Sequence, residues 1–344
     1  MERFERTKEM PVDLQNDVTL AFLNVICAAV FGSRYDLDDP EFKALSELNA
    51  KFSRVILNGQ KLQIIPWLKY LPIGLMKEVH ECTTLRDRFC IKQIKEHRET
   101  FDGENIRDLT DALIKVMKDA EDEGSDVKKL LSDKHMILTL MDLFLAGLDT
   151  TSTTLRWAIL YFVTYPEVQA RLQRELDDVL ERDRFPSLQD RMSLPFVRAA
   201  ITETLRLATI TPFLTPHKTT VDTKLQGYDI PKDTTVTINA WALHHNPQAW
   251  EKPFEFNPSR FINSDGEFVY PENRCFLPFG CGPRVCLGES LAKTELFLFL
   301  ARLLQQFTFK YPPDSPPPSL EPQHGVVSYP MPFKVCICKK EKIS

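Results

Sequence analysis

Apolar side chains recur at three- and four-residue steps along residues 12–31, 40–57, 75–100, 108–119, 132–165, 166–180 and 195–207, the spacing that lines one face of an α-helix. The first part of the chain is therefore expected to be almost entirely helical. A charged, glycine-containing break at 121–129 (EDEGSDVKK) reads as an exposed loop between helices rather than a boundary between domains. The pattern changes at Pro216. From there to Asn239 it becomes short β-like runs punctuated by Gln226-Gly227 and Pro231-Lys232-Asp233, as a small sheet requires. Residues 247–284 follow, rich in proline, glycine and aromatics and without periodicity. So long an irregular stretch is uncommon in a compact domain unless it serves a site. A strong helical pattern returns at 287–306, ahead of a proline-rich turn and a last hairpin-like segment. No internal repeat is present. The expected architecture is mainly α with small β-sheets, as one domain over 1–344.

With 344 residues, 43% hydrophobic and 26% charged, the chain can bury a deep core with room for a cofactor. The net charge is −5 and the basic residues are dispersed, which argues against nucleic acid and for small-molecule partners. The longest apolar stretch, 25–31, is far shorter than a bilayer span, and the charged opening residues do not form a secretory leader. Residues 64–76 (IIPWLKYLPIGLM) carry Trp67 and Tyr70, residue types that sit at lipid interfaces. That segment reads either as a peripheral membrane contact or as a buried loop between helices. The cysteines at 27, 82, 90, 275, 281, 286, 336 and 338 follow no regular framework and are read as reduced. Cys336 and Cys338 fall in a strand-like run, are expected on opposite faces, and are read as packing residues rather than a metal clip.

One run concentrates chemistry: Phe279-Gly280-Cys281-Gly282-Pro283-Arg284-Val285-Cys286-Leu287-Gly288. Two glycines and a proline force a tight turn, and Cys286 then stands at the mouth of the 287–306 helix. Free amides and the macrodipole there favour a thiolate, the form that binds metal. Gly288 leaves room for a flat macrocycle, and Arg284 could pair with a propionate on it. Two blander readings stand beside this one. Cys286 could be a buried structural cysteine, or Cys281 and Cys286 could form half of a zinc or iron–sulfur site, for which no second half is visible.

Phe279, Gly282, Arg284, Cys286 and Gly288 match F-x-x-G-x-R-x-C-x-G, and on them the chain resembles the cytochrome P-450 family of haem-thiolate monooxygenases. The resemblance implies haem b with Cys286 as the axial thiolate on its iron, held in a loop that includes Phe279, Gly282, Arg284 and Gly288. Glu203-Thr204-Leu205-Arg206 and Pro258-Ser259-Arg260-Phe261 resemble two further family segments. They imply a buried structural triad of Glu203, Arg206 and Arg260 that pins the irregular loop, with Ser259 where the family usually has glutamate. Ala146-Gly147-Leu148-Asp149-Thr150-Thr151 resembles the family's distal helix, which implies Asp149 and Thr150 as the acid and alcohol supplying protons for dioxygen cleavage. Read as residues alone, the glycine and hydroxyls there are expected to open a notch in the helix.

His217, after Pro216, matches a propionate partner, whereas His244 and His245 are given no ligand role. The implied substrate lining is Ala146, Gly147, Ile210, Thr211, Leu214, Val326 and Val327, an apolar set suited to a steroid or other flat lipophile, with Asn58 a loose polar candidate. The resemblance spans the whole chain and begins at an early-middle helix of the family. The chain is therefore read as the C-terminal two-thirds, without the anchor, most of the first sheet and the early helices.

Within the family it is similar to the microsomal group that contains steroid 17-alpha-hydroxylase/17,20-lyase and the aryl-hydrocarbon hydroxylases. Leu130-Leu131-Ser132-Asp133-Lys134-His135 and Trp241-Ala242-Leu243-His244-His245-Asn246 lean to the first, and Val285-Cys286-Leu287-Gly288-Glu289-Ser290-Leu291-Ala292 to the second. That group implies a lipophilic substrate and electrons from NADPH through a flavoprotein reductase, with cytochrome b5 as a further partner, on the cytosolic face of the endoplasmic reticulum. The alternative is a truncated, non-catalytic fragment that binds haem poorly or not at all and acts only as an interaction partner.

Overall fold

The helical spacing becomes helices close to the expected bounds: α1 (Glu2–Glu5), α2 (Gln15–Phe31), α3 (Pro40–Ile64), α4 (Gly74–Glu99), α5 (Leu109–Asp122), α6 (Asp133–Thr164), α7 (Pro166–Val179), α8 (Pro195–Ala208), α9 (Ala240–His244) and α10 (Glu289–Gln306). The computed structural model describes all residues except 65–66, 68–73, 123–131, 182–183, 326 and 341–344, and for 54 and 56–64 describes only the backbone. Most of the expected 121–129 loop, Tyr70, Val326 and the Asn58 side chain lie outside the described residues. No described helix is long and apolar enough to cross a membrane.

Contacts divide the chain into two units. One is Gln15–Ser152 and the other joins Met1–Leu14 to Thr153–Ser344. In the first unit, α2 to α5 and the opening of α6 pack around Phe22, Phe31, Phe42 and Phe144, all fully buried. Gly147 makes one close helix approach possible, because a Cβ there would come within 2.5 Å of Ile26 Cδ1 on α2.

The second unit contains the rest of α6, buried on every face from Thr153 to Phe162, where Trp157 to Phe162 is apolar without a break. Trp157 on this stretch donates from Nε1 to the Ser328 carbonyl at 2.8 Å. The unit's strands form two-stranded antiparallel sheets: β1 (His217–Lys218) with β4 (Thr235–Val236), β2 (Thr223–Leu225) with β3 (Tyr228–Ile230), β5 (Phe307–Lys310) with β8 (Cys336–Lys339), and β6 (Pro322–His324) with β7 (Ser328–Pro330). The β2–β3 turn uses Gln226 and Gly227 at φ 51° and 89°, the left-handed pair a two-residue hairpin needs.

The differences from the expected pattern have local causes. The first long helix starts at Gln15 rather than Val12, because Val12 bridges to Val335. The last starts at Glu289, so Cys286 lies just ahead of the helix, with its carbonyl accepting the Glu289 amide at 3.4 Å. Cys336 and Cys338 do sit in a strand, but the opposite-face expectation is corrected. Residues two apart share a face, and here it is Ile337 that turns into the core.

Candidate functional site

The irregular stretch before Cys286 is held from beneath by α8. Glu203 and Arg206 are fully buried one helical turn apart, and Arg206 binds the carboxylate with Nε at 2.7 Å and Nη2 at 2.9 Å. Its remaining donors reach the carbonyls of His244, Pro253 and Glu255 at 2.7, 2.8 and 3.4 Å. Arg260 approaches from the 3-10 turn Pro258–Phe261, donating from Nε to Glu203 Oε1 at 3.0 Å and from Nη1 to the Glu251 carbonyl at 3.0 Å. The Asn257 amide also donates to Oε1, at 2.9 Å. One carboxylate thus serves two guanidinium groups, and loop carbonyls take up the surplus donors. At position 259, serine accepts a hydrogen bond from Arg171 at 2.9 Å on the exposed rim.

A second support runs through His244, which is fully buried. Its Nε2 accepts the Leu277 amide at 2.9 Å, so the proton resides on Nδ1 and is donated to Thr209 Oγ1 at 2.8 Å. Thr209 passes the chain on by donating to the Arg206 carbonyl at 2.6 Å. To do so it takes φ 36°, a left-handed conformation that costs a β-branched residue about 1–3 kcal/mol. Burial, with smaller contributions from His245 and Arg206, holds the His244 imidazole down at a pKa of about 3, so it stays neutral and able to accept. Leu277 lies two residues before Phe279. Phe276, in turn, packs against Trp250, Phe261 and Tyr270.

Above these supports the chain turns at Gly280 and Gly282, with φ 75° and 73°. The Cys286 amide closes the loop onto the Phe279 carbonyl at 2.9 Å. The Cys286 thiol is free and exposed, and a Cβ at Gly288 would lie 3.9 Å from its sulfur. Val285 and Leu287 on either side are exposed, Leu287 at 86%. Two residues from the sulfur, Arg284 joins His217, Lys218, Thr215 and Pro216 around an open pocket of about 320 Å³. An exposed cysteine sulfur, uncovered aliphatic side chains and a basic pocket are the donor set a haem with two propionates requires. The residues present fit that group.

In the other unit, Asp149 on α6 is gripped by α3. Asn49 Nδ2 donates to its Oδ1 at 2.9 Å, and the Ser53 hydroxyl donates to its Oδ2. Asn49 is 3% exposed, and its own Oδ1 is buried without a hydrogen-bond partner. Thr150 Oγ1 donates to the Ala146 carbonyl at 2.6 Å, and two residues on Ser152 donates to the Leu148 carbonyl at 2.7 Å. The expected notch is absent: α6 stays helical throughout, since each hydroxyl uses a spare lone pair of a carbonyl already in the ladder. Of the expected substrate lining, Ala146 is exposed and Gly147 faces Ile26. In the second unit the Ile210 carbonyl accepts the Ser328 amide at 2.7 Å, joining the Ile210–Leu214 strip to the loop of buried Val327.

The pattern of the cytochrome P-450 family matches residues 1–337. The chain belongs to that family. It is 42% identical over 329 residues to steroid 17-alpha-hydroxylase/17,20 lyase of Gallus gallus, covering 95% of this chain and 65% of that relative's length. With the enzyme of the same name from Squalus acanthias the identity is 38%, over 96% of this chain and 65% of the relative. Cytochrome P-450 1A1 of Platichthys flesus is 44% identical over 85% of this chain and 56% of its own length. The chain thus spans just under two-thirds of the curated relatives it matches.

Within this cytochrome P-450 chain, His244, Asn49 and Ser53 carry contacts that the sequence reading passed over. His244 ends α9, and the amide it holds is 33 residues away. Asn49 and Ser53 meet Asp149 from 100 and 96 residues away, and their only early signal is polar residues four apart in an apolar-periodic helix. Among the described residues, the one cluster able to offer three metal-ligand atoms is His97, Asp108 and Asp111. It is already satisfied: the two His97 nitrogens engage the Gln93 carbonyl and Asp108, and Arg107 grips Asp111 in a bidentate pair. Among the described residues, neither Cys281 nor Cys286 belongs to such a cluster. Burial pushes the Cys27 and Cys90 thiols up to about 12, which suits packing rather than ligation.

Proposed function

We propose that this chain is the haem- and substrate-bearing part of a monooxygenase that inserts one atom of O2 into a lipophilic molecule. Electrons would come from NADPH through a flavoprotein reductase, with cytochrome b5 as a second donor, on the cytosolic face of the endoplasmic reticulum. The observation that carries this reading is the exposed Cys286 thiol on a doubly anchored loop, two residues from a basic pocket shared by Arg284 and His217.

Cys286 would hold the iron as a thiolate, while Arg284 and His217 would take the propionates. Gly282 gives the loop its turn, Phe279 closes it through its carbonyl, and Gly288 keeps the sulfur's neighbourhood low. When bound, haem b supplies the centre at which O2 is activated. Asp149 would hold and release protons at its carboxylate, and Thr150, whose hydroxyl donates to the Ala146 carbonyl, would orient them. Glu203, Arg206 and Arg260 act structurally, fixing the loop rather than touching substrate.

For the substrate, the apolar strip Ile210, Thr211, Leu214 and Val327 supports a flat lipophile of the steroid kind, in keeping with the names of the relatives. The unpartnered Asn49 Oδ1 supports one that carries a hydroxyl or another hydrogen-bond donor, since a buried acceptor left unpaired costs about 1–3 kcal/mol. The test is the carbon monoxide difference spectrum of the reduced protein. A red-shifted thiolate band is expected. Its absence from this chain, with a normal band from an N-terminally extended one, would overturn catalytic competence and leave the non-catalytic fragment as the reading.

A further inference from the structure

We infer that Ser53 is a positioning residue for proton supply, acting through Asp149; this rests on the role proposed for Asp149 above. Asn49 and Ser53 are one turn apart on α3 and so project from the same face. Each donates to a different oxygen of the same carboxylate.

An aspartate in mid-helix ordinarily exchanges among staggered rotamers, and a carboxylate that wanders cannot keep a proton aligned with the group it serves. Two donors from a neighbouring helix remove that freedom. The two are not equivalent. Asn49 contributes an amide whose opposite end is an acceptor aimed elsewhere and unsatisfied, so its orientation answers to a second contact. Ser53 is a short hydroxyl with two further lone pairs, and its rotor follows the carboxylate. Ser53 thus holds Oδ2 while Oδ1 takes the Asn49 amide.

Four forms of the chain test this: wild type, Ser53→Ala, Ser53→Thr, and Asp149→Asn to assign the Asp149 carboxylate stretch in infrared difference spectra. In protein without haem, Ser53→Ala is expected to move that band and Ser53→Thr to restore it, because threonine keeps the hydroxyl. An unmoved band in Ser53→Ala overturns the inference irrespective of any catalytic reading. In haem-loaded protein, Ser53→Ala is expected to keep the carbon monoxide band and raise peroxide released per NADPH oxidised by roughly two- to tenfold, with Ser53→Thr near wild type. A moved infrared band with unchanged coupling would also overturn it, since Ser53 would then hold a carboxylate that supplies no proton. Loss of the carbon monoxide band in wild type would instead count against the functional reading, leaving the infrared result to decide the contact.

Discussion

The loop that presents Cys286 and the network beneath it are built on opposite principles. Beneath, Glu203, Arg206 and His244 are fully buried, and each of their polar groups discussed above has a partner; Arg206 alone satisfies five donor contacts. Above, residues 281–287 are exposed and rest on two left-handed glycines and one closing amide contact. The support is over-determined by the protein. The Cys286 stretch would be completed by the haem proposed above. Stability and the proposed chemistry therefore fall on different residues, far apart in sequence and joined through the loop, and substitutions should separate them.

The sharpest separation is expected at Cys286. Cys286→Ser should abolish the carbon monoxide band altogether, while the denaturation midpoint of the haem-free chain stays within about 0.5 kcal/mol of wild type, as for an exposed side chain. Cys281→Ser should keep the band. Equal loss from both substitutions would remove the ligand assignment and the comparison built on it.

Glu203→Ala should do the reverse, acting on the fold. It strands two guanidinium groups beside one another without their carboxylate, and breaking a buried pair in this way costs about 3–5 kcal/mol. Urea denaturation, followed by circular dichroism, measures it. A loss under about 1 kcal/mol would mean the loop carbonyls alone hold Arg206 and Arg260, and that the carboxylate is dispensable.

How far these two layers were legible in the sequence follows from the range of the contacts. The long helices were readable because their apolar period is local. α9 and the 3-10 turns were not, since they are short and fixed by cap contacts such as Asn239 to the Ala242 amide at 2.9 Å. Glu203, Arg206, Arg260 and Cys286 could be named from spacing and family resemblance. The partners that complete them could not: the carbonyls of His244, Pro253 and Glu255 carry no side-chain signature, and a carbonyl becomes a ligand only through the path of the backbone. Asn49 and Ser53 were hidden for the same reason, as polar residues whose purpose lies on another helix.

A milder probe of the support uses pH. His244 is held neutral with its pKa near 3, below the ordinary value of 6.5 it recovers on unfolding. A depressed folded pKa means the unfolded state binds the extra proton first. Stability is therefore complete above pH 6.5 and falls as pH drops toward 3, by up to roughly 1.4 kcal/mol per pH unit. His245, lowered in the same sense by burial, adds to the fall. Comparing wild type with His244→Gln, which keeps a neutral donor and acceptor, isolates the first: wild type should lose roughly 1.5 kcal/mol more between pH 6.5 and 5. Parallel curves would show that His244 is not a proton-sensitive link between α8 and Leu277.

The smallest effect belongs at the rim, at Ser259, where the family segment usually has glutamate. The serine hydroxyl accepts from Arg171, whose guanidinium also lies 3.8 Å over the Phe196 ring, so the arginine is already fixed in place. Ser259→Glu would give it a charged acceptor without ordering a new side chain. The site is exposed, however, and such pairs contribute about 0–1 kcal/mol. The gain should appear as a small rise in Tm at low salt and vanish at high salt, where the Debye length shrinks to about 3 Å at 1 M. A rise that survives high salt would place position 259 inside the buried network with Glu203. The boundary drawn here between an over-determined support and its exposed surroundings would then move outward by one residue.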